Sequence, residues 1–267
     1  NGALSHVAKH VFESLNATVY SFNDEGCGRI INHECGATDT KFLRQKVKEL
    51  NADVGFAYDG DADRLIAVDE NGREVDGDEI IFIIARELLK KGKLNKKKVV
   101  CTVLSNMGVE RNLNSMGVSM LRLDVGDHNV QAAMAKGGYV LGGEQSGHTI
   151  FTDYATTGDG QLTALQFLDV LARSGKKASE LASVCPQYPQ VLLNVAVSHE
   201  RGVKDAIMAS DALSAAIAEE EGKLSGEGRV LVRPSGTEAL IRVMVEAKTE
   251  QIALLAAENL VNVIKML

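Results

Sequence analysis

Three short polar loops carry the residue types that could do chemistry. The first is Asp59-Gly60-Asp61-Ala62-Asp63-Arg64. Its three carboxylates stand at alternate positions and can converge on one hard cation, and an oxygen-only ligand set suits Mg2+ or Ca2+. An EF-hand reading places Asp59, Asp61 and Asp63 at its first, third and fifth ligand positions and Glu70 at its twelfth. Arg64, however, stands where that loop needs glycine for its sharp turn, and strands rather than helices flank it. An aspartyl nucleophile of phosphatase type and a plain solvated acidic turn are the other readings. Packed carboxylates without a cation repel, which weighs against the solvated turn.

The second loop is Gly142-Gly143-Glu144-Gln145-Ser146-Gly147-His148. Its glycines allow close backbone approach. A carboxylate accepts O–H donors and a serine hydroxyl gives or takes a hydrogen bond, so Glu144 and Ser146 suit adjacent hydroxyls on a sugar ring. A polar turn between two strands is the competing reading. The third is Arg233-Pro234-Ser235-Gly236-Thr237-Glu238. A guanidinium fork, two hydroxyls and the amides around Gly236 make an anion cradle, and Pro234 presets the turn. A hairpin loop with incidental polar residues is the alternative. Arg233 reads as the only charge there that favours phosphate, with Glu238 opposing it. The pattern is not a Walker A loop, which needs Lys-Ser/Thr after its glycines.

The elements that must hold these loops follow from periodicity. Helical spacing is read at Ala3–Leu15, and at Asp39–Leu50 with Thr38 or Asp39 as the cap. Strands are read at Ala17–Phe22, Val54–Tyr58 and Leu65–Val68, the last two bracketing the acidic loop. Such alternation argues for an α/β layer with a largely parallel sheet. A second unit reads helix Asp78–Lys91, strand Lys98–Leu104, helix Met107–Asn114, strand Ser119–Leu123, helix Asn129–Ala135, strand Tyr139–Leu141 and helix Asp159–Ala172. From about Gln190 the pattern is a strand, a helix Val203–Glu221, strands Arg229–Val232 and Leu240–Val245 around the third loop, and a helix Glu250–Leu267. The expected organisation is residues 1–77 with the acidic loop, 78–187 with the sugar loop and 188–267 with the phosphate loop. The fold class is α/β: consecutive α/β domains with mixed sheets, then a small α+β domain at the C-terminus.

Composition narrows the function classes. The 267 residues allow two or three domains. The longest apolar run, Ile80–Ala85, is far short of the roughly 18–20 residues of a membrane span, so no membrane partner is expected. A net charge of −7 argues against a nucleic-acid backbone binder, and the basic stretch Lys90–Lys98 reads as a solvated helix end and turn. Phosphate must therefore be held by local donors rather than by the global field. The four cysteines form no C-x-x-C pair, and the default is a reducing cytoplasm. His6 and His10 lack a third ligand nearby. Gly126-Asp127-His128-Asn129 reads either as a cleft-facing loop or as a helix-capping turn.

Taken together, the D-G-D-x-D-R, G-E-x-S-G-H and R-x-S-G-T loops resemble, in this order, the signatures of the α-D-phosphohexomutase superfamily. The stretches GEQSGH, RPSGTEALIRVMVEA, TVLSNMG and ATTGDGQLTALQ resemble its phosphoglucosamine mutase branch, while Asp127-His128 departs from the Asp-Arg often found there. The resemblance implies interconversion of glucosamine 6-phosphate and glucosamine 1-phosphate through a phosphoserine, with phosphomannomutase or phosphoglucomutase activity as the alternative. It implies Mg2+ on Asp59, Asp61 and Asp63, and glucosamine or glucose 1,6-bisphosphate as the activating intermediate. Glu144 and Ser146 would read the sugar, while Arg233, Ser235, Gly236 and Thr237 would grip the non-reacting phosphate. Arg64 would add positive charge near the phosphoserine, and His148 would move a proton or contact phosphate. A small sugar phosphate is the expected partner, with a homodimer of the full-length protein left open. The family's Ser-His-Asn phosphoserine loop has no counterpart upstream of Asp59, since Ser5-His6 is followed by Val7 within a helical pattern. The expectation is therefore a chain without the serine-bearing domain, inactive as an isolated fragment and otherwise a sugar-phosphate and metal-binding module.

Overall fold

The computed structural model describes residues 1–200 and 202–267. Contacts divide the chain into two units, Asn1–Ser105 with Val109–Pro186, and Asn106–Gly108 with Gln187–Leu267. The first unit opens with helices α1 (Ala8–Ser14) and α2 (Lys41–Leu50). Strands β1 (Val54–Tyr58), β2 (Leu65–Asp69) and β3 (Glu74–Val75) then form an antiparallel sheet in that order. Tyr58 pairs with Leu65, so the acidic loop is the connection of the β1–β2 hairpin. Helix α3 (Gly77–Lys90) starts at Asp76, whose carboxylate accepts the Glu79 N–H, a cap of the kind that satisfies an otherwise orphaned donor.

The rest of this unit runs β4 (Lys98–Thr102), α4 (Met107–Ser115, its first two residues belonging to the second unit), β5 (Ser119–Leu123), α5 (Asp127–Gly137), β6 (Leu141–Gly143), β7 (Thr149–Phe151), α6 (Gly160–Ser174) and α7 (Ala178–Ala182). Its sheet has the order β5-β4-β6-β7, parallel except for β7. A core including Leu65, Ile80, Ile83, Ile84, Leu141, Phe151 and Phe167 joins both sheets of the unit to α3 and α6. Burial of each such side chain is worth about 1.5–3 kcal/mol. That core fixes the two hairpins carrying the first two loops.

The second unit contains β8 (Gln190–Ala196), α8 (Val203–Met208), α9 (Asp211–Leu224), β9 (Gly228–Pro234), β10 (Leu240–Ala247) and α10 (Glu250–Met266). Its antiparallel sheet has the order β8-β10-β9. Ile241, Val243 and Val245 of β10 share an apolar cluster with Ala253, Ala256, Ala257, Leu260 and Ile264 of α10. The third loop connects β9 to β10.

Four expectations are corrected. The sheet holding the acidic loop is antiparallel, because the link from Tyr58 to Leu65 is too short for the crossover of about a dozen residues that parallel strands require. Ala17–Phe22 forms no strand: it pairs with no sheet edge among the described residues, and Phe22 packs edge-on against Phe42 instead. The helix expected over Val203–Glu221 is split into α8 and α9. Ser210 is extended there, the backbone state of a helix-starting residue. The N-cap position of α2 is Thr40, although Asp39 Oδ1 does accept the Lys41 N–H at 3.2 Å.

Candidate functional site

The acidic loop brings one carboxylate oxygen each from Asp59, Asp61 and Asp63 within 4.8 Å of one another. Burial raises the Asp59 carboxyl above its ordinary range; the Arg64 N–H opposes this, and the charges of Asp63 and Asp61 add to it. A cation placed among these oxygens would relieve that repulsion, and the donor set is all oxygen, so the residues fit Mg2+. Arg64 Nε lies 3.5 Å from Asp59 Oδ2 and 3.8 Å from Asp63 Oδ1. The loop is held from behind. Ala62 has a left-handed φ of +67°, uncommon without glycine. Its carbonyl accepts the N–H of Gly160, the first residue of α6, at 2.9 Å.

The second loop caps the β6–β7 hairpin and lies directly against the first. The Leu65 N–H donates to the Gly147 carbonyl at 3.1 Å, and Arg64 and His148 form an isolated antiparallel bridge. Gly147 has φ +98°, and a Cβ there would meet the Leu65 carbonyl oxygen at 2.3 Å. His148 is 2% exposed. Its Nε2 lies 3.5 Å from Asp63 Oδ2, and among the described residues neither ring nitrogen has a hydrogen-bond partner. A Cβ at Gly158 would strike the imidazole at 2.4 Å, so that glycine makes room for the ring.

Glu144 is already oriented. Its Oε1 accepts the Gly126 N–H at 3.1 Å, and its Oε2 accepts the Ser146 hydroxyl at 3.3 Å. Gln145 donates to Asp76 Oδ2 at 3.3 Å, tying the loop to the start of α3. Thus Asp59, Asp61, Asp63, Arg64, Glu144, Ser146 and His148 stand in one pair of interlocked hairpins.

Arg233, Ser235, Gly236 and Thr237 lie together at the turn between β9 and β10. Ser235 is buried, and its Oγ accepts the Glu238 N–H at 3.3 Å, while Gly236 and Thr237 are exposed. Burial, followed by the charge of its cross-strand neighbour Arg242, lowers the affinity of Arg233 for its proton. Arg233 is not the only cation at this turn, which corrects the expectation. Arg242 Nη2 is 2.9 Å from Glu238 Oε2, and Lys204 Nζ on α8 donates to the Ser235 carbonyl at 2.6 Å and the Glu238 carbonyl at 3.2 Å. Arg242 was legible from strand alternation opposite Arg233. No sequence signal places Lys204, because a residue from a separate helix reaches the turn only through the fold. Gly158 and Gly160 flank the α6 cap Asp159, and their contacts with His148 and Ala62 follow only from the fold.

Comparison with known proteins identifies the family. Family models match residues 1–72 (phosphoglucomutase/phosphomannomutase, alpha/beta/alpha domain II), 76–188 (alpha/beta/alpha domain III) and 192–263 (C-terminal domain). The phosphoglucosamine mutase of Halalkalibacterium halodurans is 46% identical over 265 residues, covering 99% of this chain. This chain spans 58% of that relative's length. A solved phosphoglucomutase/phosphomannomutase family protein from Burkholderia thailandensis has the same fold, with a TM-score of 0.81 at 22% identity over 99% of this chain and 58% of its own. Aspergillus fumigatus N-acetylphosphoglucosamine mutase, solved with GlcNAc-6P and magnesium, has a TM-score of 0.70 at 23% identity over 88% of this chain and 53% of its own. The chain belongs to the phosphoglucomutase/phosphomannomutase family of α-D-phosphohexomutases.

Proposed function

We propose that the whole protein interconverts glucosamine 6-phosphate and glucosamine 1-phosphate, and that this chain supplies the metal, sugar and phosphate sites for that reaction. The observation that carries the reading is the interlock of the two hairpins. It places the oxygens of Asp59, Asp61 and Asp63 beside the loop bearing the preoriented Glu144 and Ser146. The named relative and the Aspergillus complex supply the substrate class.

In this reading Asp59, Asp61 and Asp63 hold Mg2+, which when bound neutralises charge on a phosphoryl group in transfer. Arg64 adds a second positive charge at the same edge. Glu144 accepts sugar hydroxyls, and its fixed carboxylate spends no conformational freedom on binding. His148 is the candidate for moving a proton or contacting phosphate beside the metal loop, its buried ring lying with Nε2 3.5 Å from Asp63 Oδ2. Arg233, Ser235, Gly236 and Thr237 hold the phosphate that does not react. The substrate must bind in both orientations, through a 1,6-bisphosphate of glucosamine or glucose.

The test is turnover by the whole protein of the 6-phosphates and 1-phosphates of glucosamine, glucose and mannose, with and without Mg2+. The expected outcome is a preference for glucosamine phosphates that EDTA abolishes. Faster turnover of glucose or mannose phosphates would replace this reading with the phosphoglucomutase/phosphomannomutase one. No turnover of any of them would reject both.

A further inference from the structure

The turn between β9 and β10 presents an exposed glycine whose amide direction is set from another element. Lys204 Nζ donates to the Ser235 and Glu238 carbonyls, at 2.6 and 3.2 Å. No peptide bond in the described residues is cis. In a trans peptide the C=O of one residue and the N–H of the next point in opposite directions. A Ser235 carbonyl drawn toward Lys204 therefore turns the Gly236 N–H away from it, and a Glu238 carbonyl drawn the same way does so for the Ala239 N–H. The turn is braced besides by the Ser235 N–H on the Leu240 carbonyl at 2.9 Å and the Glu238 N–H on Ser235 Oγ. With its carbonyls engaged by an ammonium, their negative ends are also kept from an arriving anion.

We propose that Lys204 is a positioning residue of the phosphate-binding turn, aiming the Gly236 and Ala239 N–H groups outward while its own ammonium stays on the carbonyl side. This rests on the reading of the turn as the phosphate site. Lys204 acts through the backbone and does not touch the phosphate, which separates it from Arg233.

The experiment titrates the full chain, and its Lys204→Met and Lys204→Arg variants, with glucosamine 1-phosphate and with inorganic phosphate. It follows affinity by calorimetry and the Gly236 amide by NMR. The parent is expected to bind with a downfield shift of the Gly236 proton. Lys204→Met is expected to bind about tenfold more weakly, with most of that shift lost and the thermal midpoint little changed. Lys204→Arg is expected to recover part of both. Should Lys204→Met not fold, Lys204→Gln, which keeps a donor without the charge, takes its place with an intermediate loss expected. Binding and an amide shift equal to the parent's in the folded variant would overturn the role of Lys204 alone. A parent that binds neither probe would overturn the phosphate reading and this inference with it.

Discussion

The interlocked hairpins of the first unit and the β9–β10 turn of the second hold their polar groups by different means. In the hairpins close backbone packing does most of the holding, with Glu144 and Gln145 adding side-chain ties. Gly147 lies against Leu65, Gly160 against Ala62, and Gly158 leaves room for the His148 ring. At the β9–β10 turn, side chains do it: Lys204 grips two carbonyls, Ser235 takes an N–H and Arg242 meets Glu238. Backbone packing leaves no space for an added atom, whereas a side-chain brace tolerates one and answers to charge. The first arrangement suits a loop that must keep three like charges together; the second would suit the phosphate grip proposed for this turn.

The largest effect expected from this contrast is a pair of identical substitutions. Gly147→Ala should destabilise the chain by about 2–4 kcal/mol, from a left-handed φ and a Cβ forced onto the Leu65 carbonyl. Gly236→Ala, where a Cβ meets nothing within 4 Å, should stay within about 0.5 kcal/mol. Urea unfolding of both variants checks this, and equal losses would erase the distinction.

Next, Arg233→Ala should cost about 1.5–3 kcal/mol of sugar-phosphate binding, the range for a hydrogen bond to a charged group. Arg233→Lys should recover only part, since it keeps the charge without the fork. Calorimetry with glucosamine 1-phosphate measures both, and Mg2+ affinity should be unchanged in either.

A smaller effect belongs to Glu79 in the first turn of α3, paired with Arg73 at 3.0 Å. Burial, with the charge of Asp76 added, pushes its carboxyl up to about 7. The folded state therefore keeps a proton that the unfolded state has released between about pH 4.5 and 7. Stability must fall as pH rises through that window, with a slope approaching about 1 kcal/mol per pH unit. Glu79→Gln should flatten that decline, as read from unfolding midpoints at pH 5 and pH 7.5. An unaltered pH profile in the variant would remove Glu79 as its cause.

The smallest change on stability is expected at the acidic loop. Asp61→Asn should leave the metal-free chain as stable or more stable by less than about 1 kcal/mol, because it relieves repulsion. It should also remove most of the rise in thermal midpoint that Mg2+ gives the parent. A full Mg2+ response in Asp61→Asn would exclude Asp61 as a ligand.

The loops were legible because their chemistry is written in consecutive residues. Asp59, Asp61 and Asp63 needed only a tight connection between two strands, and Arg233 to Thr237 needed only a turn. The helices α3, α6 and α10 were legible from apolar periodicity, while the caps Asp159 and Thr249 emerged only with the structure. What escaped depends on partners distant in the chain. Ala17–Phe22 has strand composition, but a strand exists only on a sheet edge. The antiparallel direction of β1 and β2 was within reach, since the brevity of the link alone forbids a parallel crossover. The positions of Gly158 and Lys204 follow from which surfaces meet, and no local spacing encodes that.

The bridge between Arg64 and His148 has a consequence for how ligands communicate. Because the Leu65 amide and the Gly147 carbonyl share a hydrogen bond, the acidic hairpin cannot rock without moving the hairpin that carries Glu144. A cation that stiffens the first also withdraws freedom from the second, so a sugar arriving later has less entropy to lose. On the proposed function, the two ligands would then be positively cooperative without any change of shape. By thermodynamic reciprocity, sugar must tighten the hold on the cation by the same factor that the cation tightens the hold on sugar.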